Sequence, residues 1–325
     1  SMFYGTKYPE LITKNHELKL PAPRFIEKEE WRKPIDMSYK NIFKGVAIND
    51  KNGVVITDPK VKSKFSGLVK NIIFQILKVP FGHHISLSVK IFEPKTFQER
   101  LIGIFSYINN FLIRASDEKI TSYERFKLVT TCIFAGMHTA VQQLKPFNSF
   151  LGETYQGEFP NGAKAYCENV THKPLVSSQK FGSEMLITQK GPIIIKFPKL
   201  GESVVCHIPQ VRVTNATSEN SRATRFTGNH VFVDVKNKLK GVILFDYNDD
   251  CCHEIKGCTM KYNYEPDYEY NCDKEWEFGK KFDFNIQCNE NYEIIDNLKG
   301  SYIKNLYFGN EETWNIHELS PEYIR

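Results

Sequence analysis

The sequence predicts a mainly β protein with helices (α+β), in which a large antiparallel sheet curls into a near-complete barrel behind a helical segment. Three observations carry this expectation. Apolar residues recur at helical spacing up to about residue 141, and beyond residue 160 the spacing becomes the alternation of strands. The strand-like runs then succeed one another across short turns, with no helical pattern between them. Nothing repeats and no low-complexity linker divides the 325 residues, so one barrel-centred unit over residues 31–325 is expected, preceded by an arm over residues 1–30.

Taken in order, the arm has no strong period and closes on Lys19-Leu20-Pro21-Ala22-Pro23-Arg24, which reads as extended or partly helical. Ser1-Met2 reads as a cloning remnant and the chain as an expression fragment. Leu68, Val69, Ile72, Ile73 and Ile76 share a helical face that Pro80 and Gly82 close. Lys62, Lys64, Lys70 and Lys78 would suit a helix lying on a membrane, but a core-packing helix with a solvated basic face is preferred. Phe97, Leu101, Phe105, Ile108 and Leu112 mark a second helix; Phe126, Val129, Ile133, Met137 and Val141 mark a third. The third opens on Thr121-Ser122-Tyr123-Glu124, a capping box, and ends just before Lys145. His138 on this helix reads as a satisfied structural histidine. Strands are expected over Lys164–Val170, Ile193–Phe197, Val204–Ile208, His230–Val235 and Gly241–Tyr247, with Lys236-Asn237-Lys238 as one of the turns.

Composition excludes several classes. Lysine and arginine number 43 against 38 acidic residues, a net charge of +5 with no arginine-rich run, so no nucleic-acid partner is expected. The mild excess would suit transient contact with an anionic membrane. Eight cysteines lack the spacing of a disulfide framework, which fits a reducing cytoplasm, a monomer and little weight for the sequons at Asn169 and Asn215. No apolar run reaches the roughly 18 residues needed to span a bilayer as a helix.

The most informative stretches are Lys145-Pro146-Phe147-Asn148-Ser149-Phe150-Leu151-Gly152-Glu153-Thr154 and Glu168-Asn169-Val170-Thr171-His172-Lys173-Pro174-Leu175-Val176-Ser177-Ser178. Two ammonium groups, an amide and an imidazole from neighbouring segments offer donors and positive charge to a phosphate. Pro146 and Pro174 fix φ and favour extended geometry before them, so these donors can be held outside a regular ladder.

The first stretch resembles the KPFNPxLGE signature of the oxysterol-binding protein family and the second its EQVSHHPPVS signature, in the same order. Ile91-Phe92-Glu93-Pro94 is similar to that family's FNEP segment, and the likeness runs from about Leu20 to Gly257. The resemblance implies a lipid-binding tunnel inside the barrel under an N-terminal lid, and a non-enzymatic carrier, cytoplasmic and peripheral at membranes. It would exchange phosphatidylinositol 4-phosphate for a sterol or phosphatidylserine, with no cofactor and no metal. A sensor or tether that binds lipid without net transfer is the alternative. By motif position Lys145, Asn148 and His172 match head-group ligands, with Lys173 where a second histidine is expected. Pro146, Phe147, Leu151, Gly152, Glu153, Thr171 and Pro174 match the supporting loop positions. The family's C-terminal helix bearing Lys, Glu and Arg has no counterpart before Arg325.

Two other chemistries are weighed. Cys167 and His172 could suggest a cysteine nucleophile, but residues five apart on a strand face opposite sides and no third group orients the histidine. Cys251, Cys252, His253, Cys258 and Cys272 hold metal-capable atoms, yet without paired CxxC spacing reduced structural cysteines are preferred.

Overall fold

A computed structural model of the chain describes residues 43–67, 89–140, 144–159, 162–170, 184–189, 191–216, 218, 220–264, 270–285 and 288–319. The arm over residues 1–30 lies outside them, as does the helix expected over residues 66–77 except for Ser66 and Gly67, which form the turn that follows the helix Pro59–Phe65.

The N-terminal part begins with the hairpin β1 (Val46–Asn49) and β2 (Gly53–Ile56), then α1 (Pro59–Phe65), β3 (Phe92–Thr96), α2 (Phe97–Ile102), α3 (Ile108–Ala115) and α4 (Ser122–Gly136). The short strands β4 (Lys145–Phe147), β5 (Thr154–Glu158), β6 (Lys164–Glu168) and β7 (Met185–Ile187) follow. After them come β8 (Pro192–Phe197), β9 (Glu202–His207), β10 (Gln210–Thr214), β11 (Ala223–Asp234), β12 (Leu239–Phe245) and β13 (Glu254–Tyr262). The chain then forms α5 (Cys272–Lys281), β14 (Tyr292–Ser301), β15 (Asn305–Phe308) and β16 (Glu311–Asn315).

Among the described residues the main sheet has 12 strands, eight along the path β1-β2-β11-β12-β13-β14-β15-β16 and four off it, where β10 pairs with β11 and β7 and β9 pairs with β11 and β8. Its pairs are antiparallel, as the alternation beyond residue 160 predicts. The expected strands at 164, 193, 204 and 241 appear within about two residues of their predicted bounds, and the one expected at 230 is the second half of β11, which starts seven residues earlier at Ala223.

The expected helix over residues 97–112 is divided. A 3-10 turn at Gly103–Phe105 separates α2 from α3. The cause is the neighbouring helix: a Cβ on Gly136 would stand 1.8 Å from the carbonyl oxygen of Ile104, so α4 and this backbone touch without room for a side chain. The periodic positions are still adjacent in space, because Leu101, Ile102, Phe105, Ile108 and Leu112 line one cavity.

The α4 helix starts as predicted, with Thr121 Oγ1 accepting from Glu124 N at 3.1 Å. It is not amphipathic, since every residue from Arg125 to Gly136 is buried. Its polar groups are tied to the sheet instead. Tyr123 donates to Asp296 Oδ2 at 2.6 Å, Arg125 pairs with Glu202 at 2.7 Å, and Lys127 pairs with Glu311 at 2.5 Å. His138 sits in the following turn with Nε2 3.1 Å from the Tyr107 hydroxyl, stacked on Trp314.

The sequence reading gave no helix between β13 and β14. The signals are present: Asn271 Oδ1 accepts from the backbone of Asp273 and Lys274, acidic residues occupy the first turn of α5, and Lys280-Lys281 the last. This helix lies against β11 and β12, where Lys240 is buried and bonded to Glu275 at 2.8 Å.

Candidate functional site

The β5–β6 hairpin explains how the two motif blocks meet. Its register pairs Thr154 with Glu168 and Tyr155 with Cys167, so the end of the first block and the start of the second emerge side by side. Gly152 N donates to Asn169 O at 2.8 Å and Asn169 N to Glu153 O at 3.0 Å. The buried Asn169 side chain then donates to the carbonyls of Ser149 and Phe150 at 3.0 and 2.9 Å. Glu153 Oε2 accepts from Phe150 N at 2.8 Å, closing the turn in which Gly152 adopts a φ of +77°.

The third segment lies beside them. β3 and β4 pair in parallel with Phe92 opposite Lys145, and the Phe92 and Phe147 rings stack at 4.9 Å. The Lys145 ammonium stands 4.5 Å from the Phe92 ring centre and donates to Asn148 Oδ1 at 2.8 Å and to Pro146 O at 3.3 Å. Among the described residues its partners are thus neutral oxygens and a ring face. Burial and the nearby Arg100 guanidinium lower the Lys145 pKa, and both effects would be relieved by an arriving anion. Arg100 itself pairs with Glu93 at 2.5 Å and donates to Leu144 O at 2.6 Å.

An elongated cavity of about 1140 Å³ opens between α2, α3, β6 and β8. Leu101, Phe105, Leu112, Ile193, Ile195 and Phe197 give it an apolar wall, and Gln98, Ser149 and Asn169 mark the end that meets the motif loops. Gln98 Nε2 donates to Glu153 O at 2.6 Å. Gln98 Oε1 and Ser149 Oγ are buried there without a partner among the described residues, so they offer a ligand polar groups at that end. Sequence reasoning missed Gln98 and gave Ser149 and Asn169 no site role. Asn169 follows a predicted strand, but only the hairpin register shows that its amide reaches the first block.

Lys145 and Asn148 therefore stand together in the described structure, as do Pro146, Phe147, Leu151, Gly152 and Glu153 around them. Thr171, His172, Lys173 and Pro174 lie outside the described residues, beginning two positions beyond Asn169. Burial and the Glu153 carboxylate push the Cys167 thiol up to about 11, the opposite of what a nucleophile needs. The cysteine and histidine set divides: Cys251 and His253 are in contact with each other, Cys258 belongs to a core cluster with Val231, Val242 and Met260, and Cys272 faces the Tyr270 hydroxyl.

The fold and this site define a mainly antiparallel protein with a mostly apolar cavity that borders the motif loops at Ser149 and Asn169. The chain belongs to the oxysterol-binding protein family, whose model, described as "Oxysterol-binding protein", matches residues 73–320. Among curated proteins it is similar to oxysterol-binding protein 9 of Dictyostelium discoideum, 24% identical over 253 residues that cover 72% of this chain and 58% of that protein. It is also similar to oxysterol-binding protein-related protein 3C of Arabidopsis thaliana, 31% identical over 134 residues that cover 40% of this chain and 28% of that one. The chain thus spans under two thirds of the length of these relatives. Among solved structures it resembles the Osh3 ORD of Saccharomyces cerevisiae in complex with PI(4)P, with a TM-score of 0.54 at 16% identity, covering 84% of this chain and 70% of that one. The Osh1 ORD domain in complex with cholesterol gives 0.50 at 17%, covering 79% and 67%. These likenesses show the fold.

Proposed function

We propose that the protein binds single lipids and carries them between membranes, exchanging phosphatidylinositol 4-phosphate for a sterol or phosphatidylserine. The observation that carries this reading is the cavity of about 1140 Å³, whose lining is mostly apolar and includes Ser149 and Asn169 of the motif loops. Its volume lies somewhat above the range of about 300–1,000 Å³ usual for small-molecule sites, as room for a whole lipid requires. Each methylene withdrawn from water gains about 0.8 kcal/mol, so an acyl chain or sterol is worth on the order of ten kcal/mol to a container that replaces the bilayer core.

At the motif end, Lys145 and Asn148 serve a phosphorylated head group, with His172 and Lys173 completing the set. Such a head group carries about −1.5 to −2 charge near neutrality and is suited to fixed donors. Phe150 and Leu151 at the tip of the same loop are 78% and 62% exposed, and would enter the membrane while the lysine meets its charged surface. No helix among the described residues is long and apolar enough to cross a membrane, so the contact proposed is peripheral.

A vesicle assay tests the reading. Labelled phosphatidylinositol 4-phosphate should move between vesicles faster with protein than without, Lys145→Ala should abolish the gain, and mass spectrometry should find lipid co-purified with the wild type. Binding without accelerated movement would assign a sensor or tether instead, and absence of both would overturn the proposal.

A further inference from the structure

We propose that Asp50, Cys251 and His253 form a site for a divalent cation of the zinc class, which clamps the turn between β1 and β2 to the turn between β12 and β13. The two turns already meet through Cys252 N, which donates to Asp50 O at 2.7 Å. His253 Nε2 is 2.9 Å from Asp50 Oδ1 and 3.3 Å from Cys251 Sγ, and the three donor atoms all lie within 4.8 Å of one another. A tetrahedral zinc ion, about 2.3 Å from sulfur and about 2.0–2.2 Å from nitrogen and oxygen, sets donor–donor edges of about 3.3–3.6 Å. The two edges at His253, 2.9 and 3.3 Å, need only small adjustments to reach those values, and the sulfur–carboxylate edge lies within 4.8 Å.

The supporting atoms favour an ion over the alternatives. His253 is 2% exposed, and its Nδ1 stands 3.0 Å from Ser301 Oγ, so a hydroxyl holds the ring from behind and presents Nε2 forward. A cysteine–histidine–aspartate nucleophile would place thiol and carboxylate on opposite ring nitrogens. Here the carboxylate meets Nε2, and Cys251 Sγ lies 3.3 Å from Nε2 and 3.6 Å from Nδ1, so a turn of the thiol toward Nε2 would bring both donors to one ring nitrogen. Asp50 is 70% exposed on the open side, leaving a fourth position for water. A carboxylate and a thiolate neutralise a doubly charged ion, so Lys304, whose charge acts on Asp50, does not repel the assembled site. Cys252 takes no part, since its sulfur faces Asn49 O.

The test uses the full chain purified without chelators, dialysed against Zn²⁺ and separately loaded with Co²⁺. One equivalent of Zn²⁺ should bind, and Co²⁺ should give tetrahedral visible absorption with a thiolate charge-transfer band. Cys251→Ser should remove that band, and Asp50→Asn should weaken Zn²⁺ binding about tenfold or more, by analogy with the loss of even an outer-shell partner. Both positions are partly or largely exposed, so circular dichroism should show the fold retained. Cys288→Ser, which removes the exposed thiol, should change neither readout. The proposal is overturned by sub-stoichiometric binding, by a charge-transfer band that survives Cys251→Ser, by unchanged affinity in Asp50→Asn, or by a site lost with Cys288.

Discussion

In the core α4 and the sheet from β11 to β16 pack Phe134, Phe226, Phe232, Phe245, Tyr302 and Trp314 to 1% exposure or less, with neighbouring rings such as Phe226–Tyr302 and Phe134–Trp314 5.2–6.0 Å apart. Against that same core, α2, α3 and β8 bring together Leu101, Phe105, Leu112 and Ile193, equally apolar, and leave them half-buried around a cavity of about 1140 Å³. Residue type does not separate the two regions. Aromatic rings interlock in the first, whereas no side chain of the second reaches across. Apolar surface left facing water costs about 25 cal/mol per Å², a cost removed when a guest covers it. The filled half thus supplies stability and the hollow half supplies capacity.

Acid should separate the halves most strongly. Burial lowers the His138 pKa to about 3 and that of His207 to about 4, and His230, also beside His207, falls well below the ordinary 6.5. All three belong to the packed side, and the cavity lining contains no histidine among the described residues. Each imidazole takes a proton near pH 6.5 when the chain is unfolded and refuses it when folded. The resulting stability is therefore complete above that pH and lost as pH falls, at about 1.4 kcal/mol per proton per unit. Urea midpoints at pH 7.5 and pH 5 should differ by several kcal/mol in unfolding free energy; a flat profile would mean that these rings are solvated and the packed half is not closed.

Truncation gives the next largest contrast. Phe245→Ala should cost about 3–5 kcal/mol by opening a void among interlocked rings. Leu112→Ala removes atoms that already border empty space, and should cost about 1 kcal/mol or less in lipid-free protein while reducing the lipid retained on purification. Equal losses in the two variants would show that both regions are ordinary core.

The same contrast explains what could be read from the chain. Short β-branched and apolar runs at Ile193–Phe197 and at Gly241–Phe245, bounded by turns, reveal strands, the second buried on both faces. The spacing of Leu101, Phe105 and Leu112 reveals a buried stripe as well, but the same pattern serves a filled interior and a hollow one, so the cavity was not legible. The break at Gly103 was hidden for a related reason, because it depends on Gly136 of another helix. Lys145 and Asn148 were legible through their motif. The part played by Asn169 was not, since it arises from a hairpin register that joins positions about 20 residues apart.

Asn169→Leu tests that junction at smaller magnitude. It removes two donors and leaves the carbonyls of Ser149 and Phe150 without them, a loss of about 1–3 kcal/mol confined to the loop pair. Hydrogen exchange over residues 150–153 should quicken, and phosphatidylinositol 4-phosphate transfer should slow although Lys145 is intact. Unchanged exchange would show that backbone bonds between Gly152, Glu153 and Asn169 suffice.

The least effect is expected where lysine stands in the motif in place of a second histidine. An ammonium with an ordinary pKa near 10.4 stays charged from pH 6 to 8, whereas an imidazole near 6.5 loses its charge across that interval. With His172 as the single titrating ligand, affinity for vesicles bearing phosphatidylinositol 4-phosphate should fall gently with rising pH. Lys173→His adds a second imidazole, so its profile should be steeper and, at pH 8, its affinity a few-fold below wild type. Superimposable profiles would remove Lys173 from the head-group set and leave the cationic end of the cavity to Lys145 and its Arg100 neighbour.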